Sequence, residues 1–247
     1  MRSHPLRPRQ QLLLDATLPR LRFPEAQAAD PLAAFGPQPD LAGASAFRPD
    51  PTGTISSRPD RLWLEVGFGG GEHAEALAAA NPGAGLIACE VFENGLCSLL
   101  SRLVPEGGEA DAPLPGNLRL WDDDARLLLR LLPPGSLDRV FLMFPDPWPK
   151  MRHAKRRFVH PAQVALVARA MRPGGEWRVA SDDPTYQAWV GEVMAGQDLF
   201  AAPAPAAARP DGWPPTRYEA KALRAGRAPS YWTFTRNGLP ASGPPLT

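Results

Sequence analysis

The chain has 247 residues but only two cysteines, Cys89 and Cys97. Two thiols cannot build a disulfide framework or a thiolate zinc site, and both lie in apolar stretches, so reduced core residues and no metal centre are expected. Long hydrophobic runs are also missing. Nothing approaches the roughly 20 apolar residues of a membrane span, and the Arg- and Pro-rich start lacks the apolar segment of a signal peptide, so a cytoplasmic protein is expected. Charge of one sign is not in excess: 27 Lys and Arg face 26 Asp and Glu, a formal net charge of +1. Overall charge therefore gives no ground for expecting nucleic acid, and any basic surface must be a local patch balanced by acids elsewhere. Proline (31) and glycine (22) are plentiful and cluster toward the two ends, outside regular elements. The length suits one ordinary domain with added segments.

Residues 1–23 read as a basic arm in which Arg2, Arg7, Arg9, Arg20 and Arg22 are opposed only by Asp15; a tail without a role is the alternative. Residues 24–60 hold no sustained period of 2 or 3.6 and predict an irregular, partly mobile connector. The domain proper is expected over 61–237, followed by a flexible tail over 238–247. Within it, strands are predicted at Leu62 to Val66, Gly85 to Glu90, Asn117 to Trp121, Leu137 to Phe144, Glu176 to Ala180 and Tyr231 to Thr235. Helices are predicted at Glu72 to Ala80, Asn94 to Leu103, Ala125 to Leu132 and Pro161 to Met171. Strand and helix units that alternate in this way imply an α/β fold, a doubly wound and mostly parallel sheet with right-handed crossovers and helices on both faces. Ligands of such sheets bind beyond the carboxyl ends of the strands, so the informative residues should follow each strand.

After the first strand comes Glu65-Val66-Gly67-Phe68-Gly69-Gly70-Gly71-Glu72, where Gly67 and Gly69 let the backbone turn tightly and approach a ligand. A dinucleotide site wants a third glycine three residues after Gly69, to admit a pyrophosphate at the helix N-terminus. That position holds Glu72, which disfavours an NAD oxidoreductase. S-adenosylmethionine carries no phosphate and has a cationic methionine end, which an acidic turn tolerates. Glu90 closes the second strand, where an acid can accept from ribose hydroxyls. At the third strand's end stands Asp122-Asp123-Asp124, where an acid can accept from an adenine amine or simply cap the next helix. Three acid-bearing strand ends in series favour an adenosyl-type cofactor.

The fourth strand runs into Phe144-Pro145-Asp146-Pro147-Trp148-Pro149-Lys150, three prolines that fix φ and stiffen a loop beside the expected cofactor; a plain rigid turn is the alternative. From Lys150 to Arg157 there are five fixed cations and no acid, which fits an anionic substrate such as an RNA backbone better than a solvated face. Arg156 and Arg157 are candidate phosphate contacts. The fifth strand ends in Ser181-Asp182-Asp183, and a late segment reads Thr216-Arg217-Tyr218-Glu219; either can be a helix cap or a solvated turn.

On these residues the chain resembles the bacterial tRNA (guanine-N7)-methyltransferase family. The resemblance rests on Leu-Glu-Val-Gly-Phe-Gly-Gly-Gly-Glu from Leu64, on Phe-Pro-Asp-Pro-Trp-Pro-Lys with Arg-His-x-Lys-Arg-Arg from Phe144, and on Thr-Arg-Tyr-Glu from Thr216. It implies a seven-stranded methyltransferase sheet, S-adenosylmethionine contacts at Glu65, Glu90, Asp124 and Asp146, and a catalytic role for Asp146. It also implies substrate contacts at Lys150, Asp182, Thr216, Arg217, Tyr218 and Glu219, with tRNA as partner and guanine 46 of the variable loop as target. No protein partner is indicated, and both monomer and homodimer stay open. Met143 stands where an aromatic is common and Tyr218 where Phe is common. Asp123 adds an acid beside Asp124, leaving open which of the two meets the adenine. A methyltransferase for another RNA or a small molecule, and a non-catalytic RNA-binding protein on this fold, are the competing functions.

Overall fold

The computed structural model describes residues 6–36 and 58–241. Arg2, residues 37–57 of the expected connector and 242–247 of the expected tail lie outside them. Seven strands form one sheet in the order β3-β2-β1-β4-β5-β7-β6. They are β1 (Arg61–Val66), β2 (Ala84–Cys89), β3 (Leu118–Trp121), β4 (Leu137–Met143), β5 (Met171–Ser181), β6 (Phe200–Ala201) and β7 (Ser230–Arg236). Strands β1 to β5 pair in parallel, while β7 runs antiparallel between β5 and β6. This is the doubly wound, mostly parallel sheet that the alternating units imply. Every residue of β2 is buried, as a parallel strand covered on both faces requires.

Side-chain alternation sorts the core into two layers. Trp63, Leu86, Leu120 and Phe141 face α3 (Glu72–Ala80), α4 (Glu93–Leu103) and the N-terminal helices, whereas Leu64, Ile87, Val140 and Trp177 face α5 (Ala125–Leu131), α6 (Pro161–Ala170) and α7 (Pro184–Ala195). Strand order reverses at β1, which lies between β2 and β4. At that reversal the glycine turn follows β1 and the proline loop follows β4, at the carboxyl ends of two neighbouring strands, where ligands of such sheets bind.

Two departures concern the start of the chain. The expected basic arm is helical: α1 (Pro8–Leu12) continues through a π-helical turn (Leu13–Thr17) into α2 (Leu18–Leu21). Leu13, Leu18, Leu21 and Phe23 are buried against the sheet, and the Phe23 N–H donates to the Leu120 carbonyl at 2.8 Å. Three of its arginines serve this docking rather than a free surface: Arg9 pairs with Glu109 at 2.9 Å, Arg22 with Asp122 at 2.6 Å, and Arg20 donates to the Ala112 carbonyl. The first part of the connector also packs. The Phe35 ring is buried against Gly85, where a Cβ would come within 2.8 Å of it, and the Arg119 guanidinium stands 5.3 Å from the ring centre. Apolar burial of a few residues outweighs a local pattern that looks polar and irregular.

Candidate active site

The turn after β1 owes its shape to three glycines in the left-handed region: Gly67 at φ 69°, Gly69 at φ 60° and Gly71 at φ 84°. The Gly67 and Phe68 N–H groups donate to the Cys89 carbonyl at 2.9 and 3.1 Å, which folds the turn over the end of β2. There Glu90 accepts from the Gly69 N–H at 2.8 Å with one oxygen and from Val91 and Phe92 N–H with the other. Burial pushes the Glu90 carboxyl above its ordinary value; the three backbone donors oppose the rise, and the charge of Asp146 adds to it. Gly95, in the first turn of α4, has no counterpart in the sequence-based expectations. A Cβ on it would lie 2.7 Å from both Glu90 Cγ and the Gly69 carbonyl, so this glycine lets α4 close on the turn. A glycine inside an otherwise helical run was its one visible signal.

Glu65, the next-to-last residue of β1, is only 1% exposed. Its Oε1 lies 3.0 Å from Nδ1 of His73, which is also buried, on the inner face of α3. Its Oε2 is buried and has no hydrogen-bond partner among the described residues. A carboxylate with one oxygen held and the other open, at the lip of a glycine turn, is a seat for a cationic donor. The ammonium of S-adenosylmethionine matches that donor type, so the residues present fit this cosubstrate. At the end of β3, Asp124 caps α5 by accepting from the Arg126 N–H at 2.9 Å, and the Arg126 side chain spans both its oxygens. Burial pushes the Asp124 carboxyl up, but the Arg126 bonds outweigh it and hold the group below its usual value. Asp123 is exposed and accepts from the Asp124 N–H.

The loop after β4 is strained. Phe144 (φ 52°) and Trp148 (φ 43°) are the non-glycine residues with positive φ among the described residues, and they bracket Pro145-Asp146-Pro147. Asp146 sits exposed between them without a hydrogen-bond partner among the described residues. What holds the loop is Arg157. Its buried guanidinium donates to the carbonyls of Pro147, Trp148 and Pro149 and stacks 4.7 Å from the Trp189 ring centre. The expectation that Arg157 meets a phosphate is therefore corrected: its donors are turned inward onto the proline loop. Arg156 behaves differently, lying exposed over the Trp148 ring at 4.6 Å, and Lys150, Arg152 and Lys155 are exposed as well.

On the far side, Asp183 caps α7 by accepting from the Tyr186 N–H, while Asp182 pairs with Arg227 at 2.6 Å. The late segment forms α8 (Arg217–Arg224), capped by Thr216, whose hydroxyl accepts from the Glu219 N–H at 3.0 Å. Glu219 is a second correction. Instead of facing a substrate it is buried, accepting from the Tyr231 hydroxyl at 2.6 Å and from Arg209 at 3.1 Å, and so it anchors α8 to β7. Burial, and Glu219 after it, push the Tyr231 hydroxyl well above its ordinary value. The first turn of α8 lies on the glycine turn. A Cβ at Gly70 would meet the Arg217 guanidinium at 2.7 Å, one at Gly69 would meet the Tyr218 ring at 3.2 Å, and Arg217 is 3.8 Å from Glu72. Glu65, Glu90, Asp146, Arg217 and Tyr218 are thus brought to one edge of the sheet.

Residues 59–230 match a family model described as "Putative methyltransferase". The tRNA (guanine-N(7)-)-methyltransferase of Granulibacter bethesdensis is 63% identical over 95% of this chain and 92% of its own. The chain belongs to the tRNA (guanine-N7)-methyltransferase family. The member from Rhodospirillum rubrum is 44% identical over 95% of this chain and 85% of its own length. Among solved structures, the 16S rRNA methyltransferase KamB is similar with a TM-score of 0.50 and 18% identity, over 72% of this chain and 89% of that one, a likeness of fold alone. Among the described residues no helix is long and apolar enough to cross a membrane.

Proposed function

We propose that this protein transfers a methyl group from S-adenosylmethionine to N7 of a guanine in tRNA, guanosine 46 of the variable loop. The single observation that carries the reading is the meeting, at one sheet edge, of a half-satisfied buried carboxylate, a glycine turn and an exposed Asp146 followed by outward cations. S-adenosylmethionine, when bound, supplies an electrophilic methyl on a sulfonium. Glu65 holds the ammonium end through its open oxygen, kept in place by His73. Glu90 and one of Asp123 and Asp124 meet the adenosyl part. Guanine N7 already carries an in-plane lone pair, so the protein needs no strong base there; its task is alignment. Methylation moves positive charge onto the purine, and the Asp146 carboxylate stabilises that charge or accepts from guanine N1–H and N2–H to orient the ring. Lys150 and Arg156 grip neighbouring phosphates of an exposed or flipped guanine.

Glu65→Gln separates this account from a fold without a cosubstrate. The amide oxygen can still accept from His73, so folding is kept, but the charge facing the ammonium is gone. Calorimetric binding of S-adenosylhomocysteine is expected to weaken by about 10- to 100-fold, the worth of a hydrogen bond to a charged group. Unchanged affinity would remove Glu65 from the cosubstrate site.

A further inference from the structure

We propose that α8 carries a second phosphate-gripping row, formed by its outward stripe of Arg217, Lys221 and Arg224, which holds RNA across the site together with the cations that follow Asp146. The inference rests on the tRNA reading above and extends it to a surface on the other side of the glycine turn.

The helical repeat puts positions 217, 221 and 224 on one face, one turn of about 5.4 Å after another. The opposite face carries Glu219 and Ala222, which are 7% and 0% exposed, and all three cations are exposed. The helix is therefore fixed to the body by one side and presents a stripe of three cations on the other, flanked by the exposed Tyr218 and Leu223. Placement adds to this. Arg217 lies on the glycine turn beyond β1, and the other group begins at Lys150 beyond β4, the neighbour of β1 in the sheet. The two rows flank the sheet edge that carries Asp146.

Most arginines of the described residues are taken up by carboxylates or by backbone carbonyls, as Arg102 is by Glu72 and Glu75 and Arg169 by the end of α5. Among the described residues, exposed cations with neither partner form two groups: Lys150, Arg152, Lys155 and Arg156 in one, and Lys221 and Arg224 in the other. Arg7 and Arg130 stand apart from them. All three lysines of the chain fall in these two groups. In a chain with a net charge of only +1, such segregation builds a local positive surface where the overall balance gives none. A polyanion that crosses the site meets both rows. A membrane surface fits less well, because Tyr218 and Leu223 are the only large apolar side chains that α8 exposes beside its cations, too little to form an inserting face.

The test is the double variant Lys221→Ala/Arg224→Ala; Arg217 is left in place because it touches the glycine turn. Both substituted side chains are exposed and without a partner among the described residues, so the thermal midpoint should be retained. Binding of unmodified tRNA is measured by fluorescence anisotropy across a series of salt concentrations, with S-adenosylhomocysteine binding measured in parallel. The slope of log K against log salt is expected to flatten by about 1.4 to 1.8, at roughly 0.7 to 0.9 for each of the two lost phosphate contacts. S-adenosylhomocysteine affinity should stay as in the unaltered protein. Lys221→Arg/Arg224→Lys, which keeps both charges, should restore most of the slope. If the unaltered protein binds tRNA and the double alanine variant shows the same slope and affinity, the α8 row is overturned while the tRNA reading stands. If the unaltered protein binds polyglutamate as tightly as tRNA, the surface serves an acidic polypeptide and both readings fail.

Discussion

Replacing Asp146 with alanine is expected to slow methyl transfer to tRNA by about 10²- to 10³-fold, the loss typical when one preorganised group facing developing charge is removed. Binding of S-adenosylhomocysteine should change by no more than a few-fold. The expectation follows from the loop's construction. Asp146 is exposed between two prolines and two residues in the left-handed region, without a hydrogen-bond partner among the described residues, so the fold does not depend on its carboxylate. Its charge nonetheless adds to the rise at Glu90, the acid that follows β2 at the same edge of the sheet. Asp146→Asn keeps the shape and removes the charge. If charge stabilisation dominates, asparagine falls nearly as far as alanine; if acceptance from guanine dominates, it recovers part of the rate. Full activity in the alanine variant would sink the assignment.

The second large effect belongs to Arg157. Arg157→Ala removes a buried guanidinium that serves three carbonyls in a row and leaves a void beneath Trp189. A loss of about 2 to 4 kcal/mol in unfolding free energy is expected, from unpaired polar groups and lost packing. Methyl transfer should fall as well, because the strained loop then loses the hydrogen bonds that brace Pro147, Trp148 and Pro149, and Asp146 loses its position. Arg157→Lys retains the charge but cannot span several acceptors with one ammonium, so it should recover stability only in part. Urea denaturation followed by intrinsic fluorescence reads the first effect. A variant as stable as the parent would mean that the three carbonyls do not depend on this side chain.

How far these features could be read in advance depends on whether a residue's role is written in its neighbours or in distant contacts. β1, β2 and β4 were legible because buried parallel strands are short apolar runs, and the acids that follow them are legible by position. The N-terminal helices were not: prolines and arginines mask the spacing of Leu13, Leu18 and Leu21, and their burial is decided by β3 and α4. α7 and the two-residue β6 also escaped, the first because its apolar residues are interrupted by Gly and Glu, the second because an edge pair has no pattern. Within the candidate site, Glu65 could be placed by its strand but His73 could not, since the pair forms only when α3 packs back on β1. A run of cations likewise conceals which of them turns inward. Arg156 and Arg157 are adjacent in sequence, yet one is exposed and the other is 2% exposed beneath the loop. Glu219 was misplaced for the same reason, its partners Arg209 and Tyr231 being 10 and 12 residues away.

The central claim is most directly tested by incubating the protein with an unmodified tRNA transcript and methyl-labelled S-adenosylmethionine, then cleaving the RNA with aniline at N7-methylated sites. One new cleavage, at guanosine 46 of the variable loop, is the expected result, lost when that guanosine is replaced by adenosine. Label incorporated without any aniline-sensitive guanine, or no label at all in a protein that binds both tRNA and S-adenosylhomocysteine, would contradict the account.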